Sequence, residues 1–236
     1  MNIPDNFQVM DHPLIHHKLG LIRDKNTGLK EFRELITEVT MLLAYEATKD
    51  LILKDAEVQT PITTAQVKTV EVADIVLVPI MRAGLGMMDG MLKLIPNARV
   101  GYIGMERDHE THQPVDYYFK IPNYAQKRNF IVLDPMLATG GTIIATVDRL
   151  KDLGADRILC MCIISAPEGM ETFCEQHQDV KVYTGALDDN LNSSKYIVPG
   201  LGDAGDRLFG TDWCCLLYTS DAADEGLGVD LGGRRI

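Results

Sequence analysis

Residues 130–150 read FIVLDPMLATGGTIIATVDRL. A β-rich apolar run closes at Asp134, a loop carries Pro135 to Gly141, and helical spacing of apolar residues begins near Thr142. The turn Thr139-Gly140-Gly141-Thr142 offers glycines for unusual dihedrals, two hydroxyls, and successive backbone N–H groups at a helix N-terminus, which together form a ready anion site. No Gly-Lys-Ser/Thr closes the loop, so it is not a Walker-type nucleotide loop. A carboxylate at the strand end would repel the phosphate itself, so Asp134 faces a polyol or a metal. A carboxylate for ribose hydroxyls beside a nest for a phosphate describes a site for a sugar phosphate. The bland alternative is an ordinary glycine-containing strand–helix turn.

Outward from this junction the same alternation continues. Residues 74–80 (DIVLVPI), 129–133 (NFIVL) and 157–165 (RILCMCIIS) are apolar on both faces, and 180–184 (VKVYT) is a weaker fourth run. Helical patterns occupy 85–95, 142–153 and 168–177. Doubly apolar strands separated by helices imply an α/β fold with a mostly parallel sheet flanked by helices, and a ligand site beyond the carboxyl ends of the strands. Residues 30–52 place Phe32, Leu35, Ile36, Val39, Leu42, Leu43 and Ala47 at helical spacing, an amphipathic helix with a core-facing stripe. Residues 11–30 read as an arm or short helix, and Pro61, Thr63, Thr64 and Gln66 mark a small excursion. No repeat or linker divides the chain before Gly210, so one domain is expected over residues 1–211.

The 236 residues are 46% hydrophobic and 24% charged, the balance of a soluble globular protein. No apolar run approaches the ~20 residues of a membrane span, and the N-terminus lacks the pattern of a secretory signal, so a cytoplasmic protein is expected. A net charge of −11 argues against nucleic-acid or membrane partners while leaving room for a local cationic pocket. The five cysteines show no metal or disulfide spacing, and Cys160 and Cys162 alternate within a core strand. From Cys214 onward neither helical nor strand periodicity appears, and Cys215 to Ile236 resemble the translation of a transposase-type sequencing-library adapter. Residues 212–236 are therefore expected to be a non-native, disordered tail, and without residues 215–236 the charge is about −9.

The loop D-P-M-L-A-T-G-G-T resembles the phosphoribosyl-diphosphate loop of type I phosphoribosyltransferases, in the version found in their uracil-specific branch. Three other segments agree, in the family's order. His12-Pro13-Leu14 with His17-Lys18-Leu19 and Arg23 resembles its opening, and residues 79–87 (PIMRAGLGM) its arginine-bearing loop. Residues 196–207 (YIVPGLGDAGDR) resemble its base-binding end, followed by Phe209-Gly210-Thr211.

The resemblance implies a central mostly parallel sheet with an N-terminal arm and a small hood. It also implies transfer of phosphoribose from 5-phospho-α-ribosyl diphosphate to N1 of uracil, giving UMP and diphosphate. Arg82 and Arg107 would hold the diphosphate, where Arg–phosphate bonding adds geometry to charge. Here Glu106 stands where an aromatic residue is usual, and its carboxylate competes for Arg107. Asp134 with Pro135, Met136, Leu137, Ala138, Thr139, Gly140, Gly141 and Thr142 would form the phosphoribosyl site. Uracil's alternating acceptor–donor–acceptor edge would be read by Ile197, Gly202, Asp203 and Ala204, largely through backbone, with Asp203 also reaching the phosphoribosyl side as base or orienter. No protein metal cage is expected, because Mg²⁺ travels with the diphosphate. Family members form homodimers or larger assemblies, and some are activated by GTP. A phosphoribosyltransferase for another base would need a different pocket beside Asp203. A regulatory RNA-binding protein on the same scaffold would need a basic stripe that the acidic charge argues against. A structural protein with a dead site fits poorly with four intact motifs.

Outside these motifs, Asp108-His109-Glu110-Thr111-His112 reads as a solvated loop rather than a metal site. His12, His16 and His17 read as packing or interface residues, and Asp188-Asp189-Asn190 as a turn.

Overall fold

The computed structural model describes residues 3–107, 114–123 and 125–211. The 108–112 stretch and the tail from Asp212 lie outside the described residues. In chain order the elements begin with β1 (Phe7–Val9), α1 (Pro13–Arg23), α2 (Leu29–Ala47), β2 (Leu53–Gln59), β3 (Thr64–Val70) and β4 (Ile75–Met81). They continue with α3 (Met88–Leu94), β5 (Arg99–Val100), β6 (Tyr102–Arg107), β7 (Pro114–Lys120), β8 (Asn129–Leu133) and β9 (Met136–Leu137). The last are α4 (Gly141–Asp152), β10 (Arg157–Ser165), α5 (Pro167–Gln176), β11 (Lys181–Leu187), β12 (Asn190–Leu191), β13 (Ile197–Val198) and α6 (Ala204–Phe209).

The main sheet runs β1-β11-β10-β8-β4-β6-β7, with β5 and β9 attached to β4 and β10. Every pairing in it is parallel except β6–β7. Ile131 at its centre stands opposite Leu77 on one side and Leu159 on the other. The doubly apolar strands pack two cores by alternation. Ile75 and Leu77 of β4 join Phe32, Ile36, Leu43 and Met91 on the face of α1, α2 and α3. Val76 and Val78 point the other way, to Ile143, Val147, Met170 and Phe173 of α4 and α5. Burying these apolar side chains contributes about 1.5–3 kcal/mol each. The helix expected over 30–52 is α2, and its apolar stripe is consumed by this core. Cys160, Cys162 and Cys174 are buried.

Several elements had no periodic signal. β1 is three residues long and is recruited by tertiary contacts: the Asn6 side-chain amide donates to the carbonyls of His177 and Val180, both at 3.0 Å. The excursion near Pro61 is a full antiparallel hairpin, β2–β3, paired from Leu53↔Val70 to Gln59↔Thr64. It stands away from the body with Ile62 at its tip 94% exposed. Residues 102–107, for which the sequence carried no strand expectation, form β6. His12 caps α1 by accepting the Leu14 N–H on Nδ1 at 3.2 Å, and His16 pairs with Asp11 at the surface.

Candidate active site

Three loops converge at the carboxyl edge of the sheet. The first leaves β8 at Leu133. Asp134 is half-buried; its backbone N–H donates to the Met161 carbonyl, and its Oδ1 accepts the Met136 N–H at 3.3 Å. Burial pushes its carboxyl up to about 7, against which the Met136 bond pulls only weakly. The loop then folds back onto β10, where Ile163 and Ile164 donate to the Pro135 carbonyl and β9 pairs with Ile164 and Ser165. Pro135 and Leu137 are buried by this fold-back, so among the predicted phosphoribosyl residues these two can offer a ligand only backbone. Gly140 reaches φ 85°, a left-handed turn suited to glycine, and α4 starts at Gly141 with no side-chain cap. The N-terminal N–H groups of α4 thus open where Thr139 and Thr142 carry their hydroxyls.

The second loop leaves β4. Met81 and Arg82 are joined by a cis peptide, and a short 3₁₀ turn spans Ala83–Met87 before α3. Its glycines are required by close approach. A Cβ on Gly84 would lie 2.3 Å from the Leu133 carbonyl oxygen, and one on Gly86 would strike Leu208 at 2.6 Å. The loop is thereby wedged between the end of β8 and α6. The Arg82 side chain is 56% exposed, with Nη2 3.4 Å from Asp206 Oδ1 and the guanidinium carbon 5.8 Å from the Phe209 ring centroid. So long and exposed a pair holds the cation weakly and leaves it open to an anion.

The third loop runs from β13 into α6. A short helix, α6, closes it. Asp203 is its N-cap, Oδ1 accepting the Asp206 N–H at 2.9 Å. Gly202 is exposed at φ 81°, Ala204 and Ile197 are buried, and the Val198–Pro199 peptide is cis. The two-residue strands β12 and β13 pair antiparallel as a small hairpin, here termed the hood. Arg107 ends β6 opposite Pro114, but its side chain and that of Glu106 lie outside the described residues.

Two features of the site were not legible in the sequence. The first is the start of α5: Glu168 Oε1 accepts the Leu191 N–H of the hood at 2.9 Å, and a Cβ on Gly169 would lie 2.3 Å from the Ala138 carbonyl oxygen. A glycine in a helix's first turn was the available signal, since it costs stability unless something approaches closely. The second is Asp188. It is not an ordinary turn residue: its buried carboxylate takes a bidentate bond from Arg23, 165 residues away, at 2.5 and 2.7 Å. Contacts at that separation leave no local pattern.

Among the described residues no three carboxylate, imidazole or thiol side chains gather for a metal. Asp134, a hard oxygen donor at the end of β8, fits a divalent ion held mainly by substrate oxygens.

The comparisons agree with this geometry. The family model described as "Uracil phosphoribosyltransferase" matches residues 9–211. The uracil phosphoribosyltransferases of Bacillus cereus (strain B4264) and Bacillus anthracis (strain CDC 684 / NRRL 3495) are each 57% identical over 203 residues, 86% of this chain and 97% of theirs. The solved AQ2163 protein from Aquifex aeolicus superposes with a TM-score of 0.83 at 37% identity, covering 87% of this chain and 98% of that one. An adenine phosphoribosyl transferase from Trypanosoma brucei, 13% identical with a TM-score of 0.51 over 79% of this chain and 87% of its own, shares the fold alone. The fold is that of type I phosphoribosyltransferases, and the chain belongs to the uracil phosphoribosyltransferase family.

Proposed function

We propose that the three loops bind uracil and 5-phospho-α-ribosyl diphosphate and join them. Uracil N1 bonds to C1 of the ribose, the bond from C1 to the diphosphate oxygen breaks, and the N1 proton is released, giving UMP and diphosphate. The reading rests on one arrangement: a cation at the end of β4, a carboxylate at the end of β8 and a helix N-terminus at α4, all opening at one sheet edge.

Each group has a distinct task. The N–H groups and hydroxyls of residues 139–142 anchor the 5′-phosphate away from the reacting carbon, so its binding energy orients C1. Asp134 holds the ribose hydroxyls. Arg82 meets charge developing on the departing diphosphate, the difficult event in an oxocarbenium-like transition state. Asp134 is the residue that would touch an Mg²⁺ carried by the diphosphate, and such an ion would add charge neutralisation there. Residues 197–204 read the base edge, and Asp203, its Oδ1 accepting the Asp206 N–H of the α6 cap, is held in place beside it.

Three further points belong to this reading. Residues 1–211 form the catalytic unit and 212–236 are dispensable, as the family match ending at Thr211 supports. The enzyme works as a homo-oligomer, which the hairpin β2–β3 supports, because a two-stranded ribbon left largely exposed is marginally stable by itself. It acts in the cytoplasm; among the described residues no helix is long and apolar enough to cross a membrane.

Diphosphate release from the sugar diphosphate with Mg²⁺, on a chain ending at Thr211, tests the reading. Release with uracil and not with cytosine, adenine or orotate is expected. No release with any base would overturn it.

A further inference from the structure

We infer that the Arg23–Asp188 pair is a positioning device for base recognition, acting by locking the backbone of Gly200; the inference rests on the reading of residues 197–204 as the uracil loop. Asp188 follows β11, and only 3% of its side chain is exposed. Its Oδ2 accepts both Arg23 Nη1 at 2.7 Å and the Gly200 N–H at 2.9 Å, while Oδ1 accepts Arg23 Nη2 at 2.5 Å. The same Arg23 Nη1 donates to the Gly200 carbonyl at 2.7 Å. Both polar groups of one peptide residue are thus held by the two members of one ion pair. A charge-assisted bidentate pair is directional as well as strong, so it fixes orientation along with distance.

Gly200 is the point where such a lock governs the loop. It sits at φ 64°, and a Cβ there would come within 2.1 Å of the Ile197 carbonyl oxygen. Residues 197 and 200 are therefore in backbone contact, and moving either moves the other. Beyond Gly200, Arg207 donates to the Leu201 carbonyl at 2.8 Å and to those of Ile22 and Asp24 at 2.5 and 2.7 Å. The end of α1 is consequently bonded to the loop from both sides, with Gly202 and Asp203 next in the chain. A base read by backbone groups has no flexible side chain to absorb a displaced loop, and displacement of about 1 Å can cost on the order of 10²-fold in rate.

Initial-rate kinetics on the full chain, with each substrate varied in turn, tests this on Asp188→Asn and Arg23→Lys. Asn keeps an acceptor for Gly200 and loses the charge; Lys keeps the charge and loses the fork. Both are expected to raise the uracil KM about ten-fold or more, leaving the KM for the sugar diphosphate within about two-fold. A merely structural pair would lower the active fraction with both KM values unchanged, and that result overturns the inference, as does an equal rise in both. Gly202→Ala is the control on the loop itself. If it raises the uracil KM while the pair variants do not, the inference falls and the loop reading stands; if none of the three moves it, both fall. Should Asp188→Asn fail to fold, Arg23→Lys decides alone by the same criterion.

Discussion

Gly169 lies against Ala138 so closely that a Cβ on the glycine would come within 2.3 Å of the alanine's carbonyl oxygen. Its neighbour Glu168 accepts the Leu191 N–H of the hood at 2.9 Å. Two consecutive residues in the first turn of α5 thus brace the loop between β8 and α4 and the β12–β13 hairpin. Gly169→Ala must displace residues 137–138, since backbone rather than a flexible tip opposes the new methyl. We expect a KM for the sugar diphosphate raised about ten-fold or more, with an overpacking cost of about 1–3 kcal/mol seen as a lower Tm. Steady-state kinetics with thermal melts checks both.

Arg82 contributes little to stability, because its contact with Asp206 is long and exposed. Arg82→Ala should leave the melting temperature almost unchanged while lowering kcat/KM for the sugar diphosphate by about 10²–10³-fold. Arg82→Lys should restore only part of the loss, since an ammonium lacks the planar fork. A variant that retains full activity would remove Arg82 from the reaction.

The Asp134 carboxyl is pushed up to about 7 from 3.8 by burial, so between those values the folded state holds a proton that the unfolded state has lost. Stability from this group therefore falls as pH rises from about 4 to 7, and its full cost is present above that. Asp134→Asn should melt several degrees above the natural chain at pH 8, with the difference shrinking toward pH 5. It should also be nearly inactive, because the ribose hydroxyls lose their carboxylate. Melting curves across pH with a parallel activity assay distinguish the two effects.

His177 behaves oppositely. Its ring is buried against Phe173, 5.2 Å between centroids, with Lys151 Nζ 3.2 Å from Nδ1 and Asp148 3.5 Å from Nε2. Burial first, and the Lys151 charge second, hold its pKa below 6.5. The unfolded state then protonates first, so stability from this group is present above pH 6.5 and lost below it. His177→Asn loses the ring packing and should melt lower at pH 7.5, yet its Tm should fall less than that of the natural chain between pH 7.5 and 5.5.

What the sequence determined by itself was the periodic and the local. The strands β4, β8, β10 and β11 are short apolar runs that a parallel sheet buries on both faces, and α2 carries an uninterrupted helical stripe, so both follow from pattern. The strand, glycine turn and helix start of residues 130–150 were also legible, because the three are contiguous in the chain. Tertiary structure decided the rest. β1 exists only because Asn6 and β11 receive it, and Asp203 became a cap only once α6 formed. The bond between Arg23 and Asp188 joins residues 165 apart, and Gly169 matters through a carbonyl on another loop. Such contacts depend on which surfaces the packed sheet brings together, a relation that spacing along the chain does not contain.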